Sequence, residues 1–198
     1  MSNQRPREGE MARSAADSRP EGKILLETRD LLLRKARLED WRDLYQNVWS
    51  RPEAARYMLW QVSENEEDAR RRMERTVDFH RDHDVYLIVE KKSGQVAGFT
   101  GLERLGPERF QEAGIVLGPD FAGRGYGKQI LALLLDWAYA LGGREFFYSA
   151  RRENKASQAL ARSFGFVFQQ AETKTDPRTG EEYLLDHYRK ELPWREEE

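Results

Sequence analysis

The stretch Leu117-Gly118-Pro119-Asp120-Phe121-Ala122-Gly123-Arg124-Gly125-Tyr126-Gly127-Lys128 decides the fold. It runs from a predicted strand (109–117) into the most regular helical pattern in the chain (124–141), where Ile130, Leu133, Leu134, Trp137 and Leu141 share one face and Gly142-Gly143 closes the end. At a strand-to-helix junction of this kind, unpaired backbone N–H groups and the positive end of the helix dipole converge, which suits an anion such as a pyrophosphate. Gly123, Gly125 and Gly127 remove Cβ atoms there, so the backbone can approach a phosphate and adopt positive φ. An ordinary tight turn is the other reading. A nucleoside-triphosphate loop does not fit, because Ala122 stands at its first glycine and Gln129 follows Lys128 where a Mg²⁺-holding Ser or Thr belongs. A dinucleotide fingerprint does not fit either, since its third glycine falls on Lys128 or Ile130.

Outward from this turn, the patterns alternate between strand and helix. Leu31-Leu32-Leu33 reads as a strand, and 38–49 as a helix with apolar residues at Leu38, Trp41, Leu44, Tyr45 and Val48, stopped by Pro52. Ser63 with Glu66 forms a capping-box pattern that opens a helix over 64–80. Val85 to Val89 is a buried strand, turned at Ser93-Gly94 into a returning strand over 95–105. Beyond the long helix come a strand at 145–150, a short helix from Asn154 to Gly165, and two strands about the turn Asp176-Pro177-Arg178-Thr179-Gly180. The expectation is one α/β domain over 23–192, with a mixed, hairpin-rich, mostly antiparallel sheet of about seven strands.

Residues 1–22 contain no Val, Ile, Leu or aromatic side chain and read as a disordered polar tail; 193–198 read as a frayed acidic end. The 198 residues include no Cys, which excludes disulfides, zinc-thiolate sites and a thiol nucleophile, and only 3 His, which argues against a metal enzyme. Charged residues make up 34% of the chain, yet the formal net charge is −2. Arg and acid are interspersed, so no basic stripe forms for a nucleic-acid backbone. The densest run, Arg70, Arg71, Arg72 and Arg75 beside Glu66, Glu67, Asp68 and Glu74, reads as a solvated helix face with i,i+4 pairs. The longest apolar run, 130–135, is too short to span a bilayer, and no signal-peptide core stands near the N-terminus, so the expected location is the cytoplasm, with no membrane partner.

The glycine-rich stretch resembles motif A of the GNAT acyl-CoA-dependent N-acetyltransferases, written Arg/Gln-x-x-Gly-x-Gly/Ala, with Ala122-Gly123-Arg124-Gly125-Tyr126-Gly127 in its place and Ala at the first position. Glu112-Ala113-Gly114-Ile115-Val116-Leu117-Gly118-Pro119 is similar to the strand the family sets before that loop. Asn154-Lys155-Ala156-Ser157, with Leu160 and Phe164-Gly165-Phe166, is similar to the family's second cofactor segment, and Leu26 to Arg34 to the opening of its RimJ/RimL-type branch. The likeness covers about 24–192.

This resemblance implies the GNAT fold, with a splayed cleft between the strand ending at Leu117 and the strand at 145–150. It also implies acetyl-CoA as cosubstrate, no metal, and direct attack by a primary amine in a ternary complex. The amine belongs to a protein N-terminus or a small molecule. Cofactor contacts fall on backbone near Val116 and Leu117, on the turn and helix start from Gly123, Arg124, Gly125, Tyr126, Gly127 and Lys128, and on Asn154, which fits a pantetheine contact, a plain helix N-cap, or both. The amine must lose a proton and the leaving thiolate must gain one. Glu112 is the candidate base, against the alternative of an exposed edge-strand carboxylate. The family's tyrosine acid is replaced by Ala161, and Ser157, one helical turn earlier, is the candidate substitute. Tyr57, Met58 and Trp60 lie where this fold builds part of an acceptor pocket. His187 is not nominated, because a lone strand histidine is ordinarily structural. The chain is expected to be a monomer or homodimer. The competing readings are an acyl-CoA-binding sensor or scaffold without turnover, and an Arg-based nucleic-acid module.

Overall fold

The computed structural model describes residues 26–193. The predicted tail at 1–22 lies outside the described residues, as does the predicted acidic end apart from Pro193. Seven strands form one sheet: β1 (Leu31–Arg34), β2 (Val85–Glu90), β3 (Val96–Gly106), β4 (Arg109–Leu117), β5 (Glu145–Arg151), β6 (Val167–Thr175) and β7 (Glu182–Glu191), in the spatial order β1-β2-β3-β4-β5-β7-β6. Every neighbouring pair is antiparallel except β4 and β5.

Both faces of the β1–β4 half are covered, which is why β2 reads as a continuous apolar run rather than an alternating one. Leu87 and Val89 point to one layer, packed with Leu44, Val48, Trp49, Ala69 and Met73. Ile88 points to the other, packed in the larger cluster with Ile130, Leu131 and Leu134. The first layer comprises α1 (Trp41–Leu44), α2 (Pro52–Ala55) and α3 (Glu66–Asp82); the second comprises α4 (Tyr126–Ala140) and α5 (Lys155–Ser163). β6 stands at the far edge, exposed along its whole length.

Three local expectations are corrected. The segment 38–49 is helical but not one helix: a 3-10 turn at Leu38–Asp40 leads into α1, and a π-helical turn follows at Tyr45–Trp49. Both α1 and this wide turn are pinned to β3 at Val96, Asn47 Nδ2 of the turn donating to Val96 O at 2.9 Å and Val96 N donating to Asp43 Oδ2 of α1 at 2.9 Å. Pro52 does not merely stop this segment; it stands in the first turn of α2. The predicted capping box fails because Asn65, not Ser63, caps α3, its side chain accepting from Asp68 N at 2.9 Å.

The sheet splits at its only parallel junction. β4 and β5 pair at Arg109–Glu145, Phe110–Phe146 and Gln111–Phe147, and from Glu112 onward β4 has no partner on that side. A β-bulge causes the divergence: between Thr100 and Leu102 on β3, β4 spends an extra residue from Glu112 to Ile115, and Gly114 takes φ +91° there. Thr100 Oγ1 donates to Gly114 O at 2.8 Å and holds the bulge in place. The end of β4 is fixed against the π-turn by close backbone approach at Gly118, where an added Cβ would stand 2.2 Å from Asn47 O.

Gly118→Ala should therefore destabilise the fold by about 1–3 kcal/mol, the usual cost of overpacking. Gly106→Ala, at a position with open space and no positive φ, should be neutral or slightly stabilising. Urea-denaturation midpoints of the two variants against wild type measure the contrast.

Candidate active site

The mouth of the split is built from three elements: the end of β4, the free end of β5, and the turn entering α4. Glu112 stands where the strands part. It is 8% exposed, and its carboxylate bridges the gap, accepting from Gly114 N on its own strand and from Ser149 N on β5 at 3.4 Å. It is thus not the exposed edge carboxylate of the alternative reading. Burial pushes its pKa up from 4.5 to about 7, against the opposing pull of those two backbone donors.

Beside it across the split stands Tyr148, 3% exposed on β5, a residue sequence reasoning passed over. Its hydroxyl lies 2.8 Å from Ser157 Oγ in the first turn of α5. Burial first, and the nearby Glu112 charge second, push the phenol's pKa well up, so it keeps its proton. The available signal was parity: Phe146, Tyr148 and Ala150 alternate inward along β5, so a hydroxyl sits among core positions facing α5. Asn154 caps α5, its Oδ1 accepting from Ser157 N at 3.1 Å, which fixes the serine's place. Ala161, at the family's tyrosine position, is fully buried.

The glycine turn matches its reading in part. Gly123 and Gly125 have φ of +76° and +79°, and a Cβ on either would meet nothing within 4 Å. Gly125 is the N-cap of α4 and offers no side chain, so no side chain caps the first-turn amides at Tyr126, Gly127 and Lys128. Lys128 is exposed beside them. This backbone geometry, at the positive end of a helix of 15 residues, fits the diphosphate of a CoA-type molecule.

Other expectations for the turn are corrected. The helix begins at Tyr126 rather than Arg124, and Gly127 has no positive φ; it lies inside the helix, where a Cβ would stand 3.4 Å from Leu160 Cδ2. The side chains of Arg124 and Tyr126 turn inward onto Glu90, the buried end of β2: Arg124 Nη1 donates to Glu90 Oε1 at 2.8 Å and Tyr126 Oη donates to the same oxygen. Ser93 Oγ occupies Oε2 at 2.7 Å. These donors, Tyr126 foremost, hold the Glu90 carboxyl below its usual range. Glu90 thus ties the turn to the sheet, and the backbone of Arg124 and Tyr126, not their side chains, lines it. Gln129 fastens the helix start on the other side, accepting from Thr28 Oγ1 and donating to Asp30 Oδ2, both at 2.7 Å. Of the two β4 candidates, Val116 puts its side chain in the α1–α3 core and Leu117 packs partly against the α4–α5 core. What both bring to the split is main chain.

On the opposite face, Met58 lies over the bulge, its Cε 3.7 Å from where a Gly114 Cβ would stand, and Tyr57 Oη donates to Glu153 O at 3.4 Å. Trp60 is held by Arg178 Nη1, which donates to Trp60 O at 3.0 Å and to Ala55 O at 3.3 Å. Arg178 is itself gripped by the buried Asp176, which also takes Arg151 Nη2 at 2.7 Å. His187 is not alone on its strand: its Nδ1 lies 3.0 Å from Ser149 Oγ and its Nε2 3.2 Å from Glu172 Oε2. No group of three or more His, Asp or Glu suited to a metal ion occurs among the described residues, and none of the helices described there is long and apolar enough to cross a membrane.

Comparison with known proteins agrees with this geometry. Residues 30–167 match the family model described as an acetyltransferase (GNAT) domain. The chain is similar to N-alpha-acetyltransferase RimI of Mycobacterium tuberculosis, 35% identical over 84 residues that cover 41% of this chain and 51% of that protein, so it spans about half the length of that curated relative. Among solved structures, a GNAT-family acetyltransferase from Bacillus anthracis superposes with a TM-score of 0.71 at 17% identity, covering 84% of this chain and 97% of that one. RimL, a ribosomal L7/L12 alpha-N-protein acetyltransferase solved with coenzyme A, superposes with a TM-score of 0.67 at 23% identity, over 85% of this chain and 97% of that one. These structural likenesses are likenesses of fold.

A carboxyl raised in the folded state makes stability fall as pH rises from its unfolded value near 4.5 to about 7, because in that window the unfolded chain has released a proton that the folded chain still holds. Above that window the penalty is constant. Glu112→Gln should remove this pH dependence, so that its stability relative to wild type climbs by a few kcal/mol between pH 4.5 and 7. Denaturation curves at several pH values check the slope.

Proposed function

The chain belongs to the GNAT acetyltransferase family, and from that premise we propose that it transfers an acetyl group from acetyl-CoA to a primary amine by direct attack in a ternary complex. The observation that carries this reading is the buried Glu112 at the parting of β4 and β5, with its pKa raised to about 7. A base is most effective when its pKa lies near the working pH, and a carboxyl with the usual value is too weak a base for an ammonium group. Acetyl-CoA, when bound, supplies the thioester carbonyl that the amine attacks.

In this reading the amine gives its proton to Glu112, whose backbone donors Gly114 N and Ser149 N hold the carboxylate in position. On the α5 side, Tyr148 Oη and Ser157 Oγ share a hydrogen bond of 2.8 Å, and this hydroxyl pair returns a proton to the departing sulfur. The glycine turn and the first-turn amides of α4 hold the diphosphate, with Gly123 and Gly125 giving it room. Asn154 acts through its cap of α5. The unpaired edge of β4 beyond Gln111 leaves main-chain groups for the pantetheine arm. The likeness to RimI supports a protein α-amino group as acceptor, and a small-molecule amine fits the same chemistry.

Turnover of acetyl-CoA against a panel of amines and of peptides with free N-termini tests the reading; binding without turnover on any of them would leave an acyl-CoA-binding scaffold instead. Glu112→Gln should keep acetyl-CoA affinity and lower the rate by about 10²–10⁴-fold near neutrality. The defect should shrink at high pH, where free amine arrives already deprotonated. A flat ratio across pH would assign Glu112 to orientation alone.

Acetyl-CoA should also raise the melting temperature of wild type by mass action. Gly125→Val should abolish that rise, because the β-branched side chain strains φ +79° and fills the space a phosphate would take. Differential scanning fluorimetry, with circular dichroism to confirm folding, reads both.

A further inference from the structure

A cavity of about 840 Å³ lies between α3 and the sheet, on the face opposite α4. It reaches Ala113, the residue that follows Glu112, and so runs to the bulge where β4 leaves β5. Its walls are aromatic, with Trp49, Trp60 and Phe99 among them. Three arginines of α3, Arg71, Arg72 and Arg75, line it together with the carboxylates of Glu64 and Asp68, and Arg71 is paired with Glu67. Arg72 lies over both tryptophan rings, 4.6 Å from each centroid. Its Nη1 donates to Gln61 O at 3.0 Å, and among the described residues no carboxylate stands within ion-pair distance of it. Asp68, one turn earlier, acts on it only through space, and burial pushes its pKa down to about 10.

A guanidinium carries five donors, of which the Gln61 carbonyl takes one. Positive charge, unmatched donors and aromatic walls together select a molecule with an apolar body and an oxyanion.

We propose that this cavity is the acceptor subsite and takes an amine whose apolar body carries a carboxylate or phosphate, with the oxyanion on Arg72 and the amine directed past Ala113 toward Glu112. The proposal rests on the acetyl-transfer reading for the role of the amine, and its test separates the two.

Intrinsic tryptophan fluorescence of the full chain, titrated with 4-methylbenzoate, 4-methylphenyl phosphate and the neutral 4-methylbenzamide, reads binding without turnover. At least one anion should saturate the signal with affinity about ten-fold or more above that of the amide, and the tighter anion identifies the group. Arg72→Met should bring anion and amide within about two-fold of each other, and Arg72→Lys should restore part of the difference. With acetyl-CoA, 4-(aminomethyl)benzoate or its phosphate counterpart should exceed 4-methylbenzylamine in kcat/KM by a similar factor in wild type, and not in Arg72→Met.

Equal binding of the amide and both anions by wild type overturns the proposal without recourse to any variant. So does a preference that survives Arg72→Met. Anion binding that depends on Arg72, with no amine acetylated, would uphold the anion site but remove its role as an acceptor subsite, and would count against the acetyl-transfer reading as well.

Discussion

The parting of β4 from β5 is the constraint on which the site depends. Three residue pairs hold the two halves of the sheet together, and the bulge at Gly114 then bends β4 away. A parallel pair that continued to the strand ends would bury its main chain in a ladder and leave no edge for a ligand. Here the edge is kept open, and the polar groups at its root are satisfied by one carboxylate, Glu112, which spans the gap. The burial that lets Glu112 staple the fork also raises its pKa toward neutrality.

The two helical layers divide the labour. The α4–α5 side supplies the uncapped start of α4 and a positive-φ turn, which are backbone devices for an anion. The α1–α3 side supplies side chains: aromatic rings, arginines and the Met58 cover over the bulge. Buried acids hold the loops of both sides. Glu90 locks the glycine turn through Arg124 and Tyr126, and Asp176 locks the β6–β7 turn through Arg151 and Arg178. Each such carboxylate costs desolvation, offset by charge-assisted hydrogen bonds of fixed direction. Apolar contacts lack that directionality, and irregular loops need it.

The elements whose cause is local were legible in the sequence. The strand–turn–helix at 117–128, the β2–β3 hairpin at Ser93-Gly94 and the Asn154 cap follow from neighbouring residues and agree with the structure. What was not legible depends on partners distant in the chain. For Glu112, the candidate base, the sequence left an exposed edge carboxylate open as the alternative, because its burial is made by β5. That the side chains of Arg124 and Tyr126 fold onto Glu90 was not legible, because Glu90 stands over thirty residues earlier. The arginine run shows both cases at once. Arg70 and Arg71 do make the expected i,i+4 pairs with Glu66 and Glu67. Arg72 follows Ala69 and precedes Thr76 on the inward stripe with Met73 and His80, a 3.6-residue period that its charge concealed. The bulge had a signal of its own, a glycine inside a strand pattern.

The clamp at Asp176 has a consequence for motion. Arg178 grips this carboxylate with two guanidinium nitrogens while its remaining nitrogen holds the main chain at Ala55 and Trp60. The β6–β7 turn and the loop before α3, more than a hundred residues apart in sequence, cannot fluctuate independently, since displacing either one strips partners from a buried charge. The clamp joins them into one expected opening unit. Their amides should therefore exchange with solvent together, through rupture of the clamp.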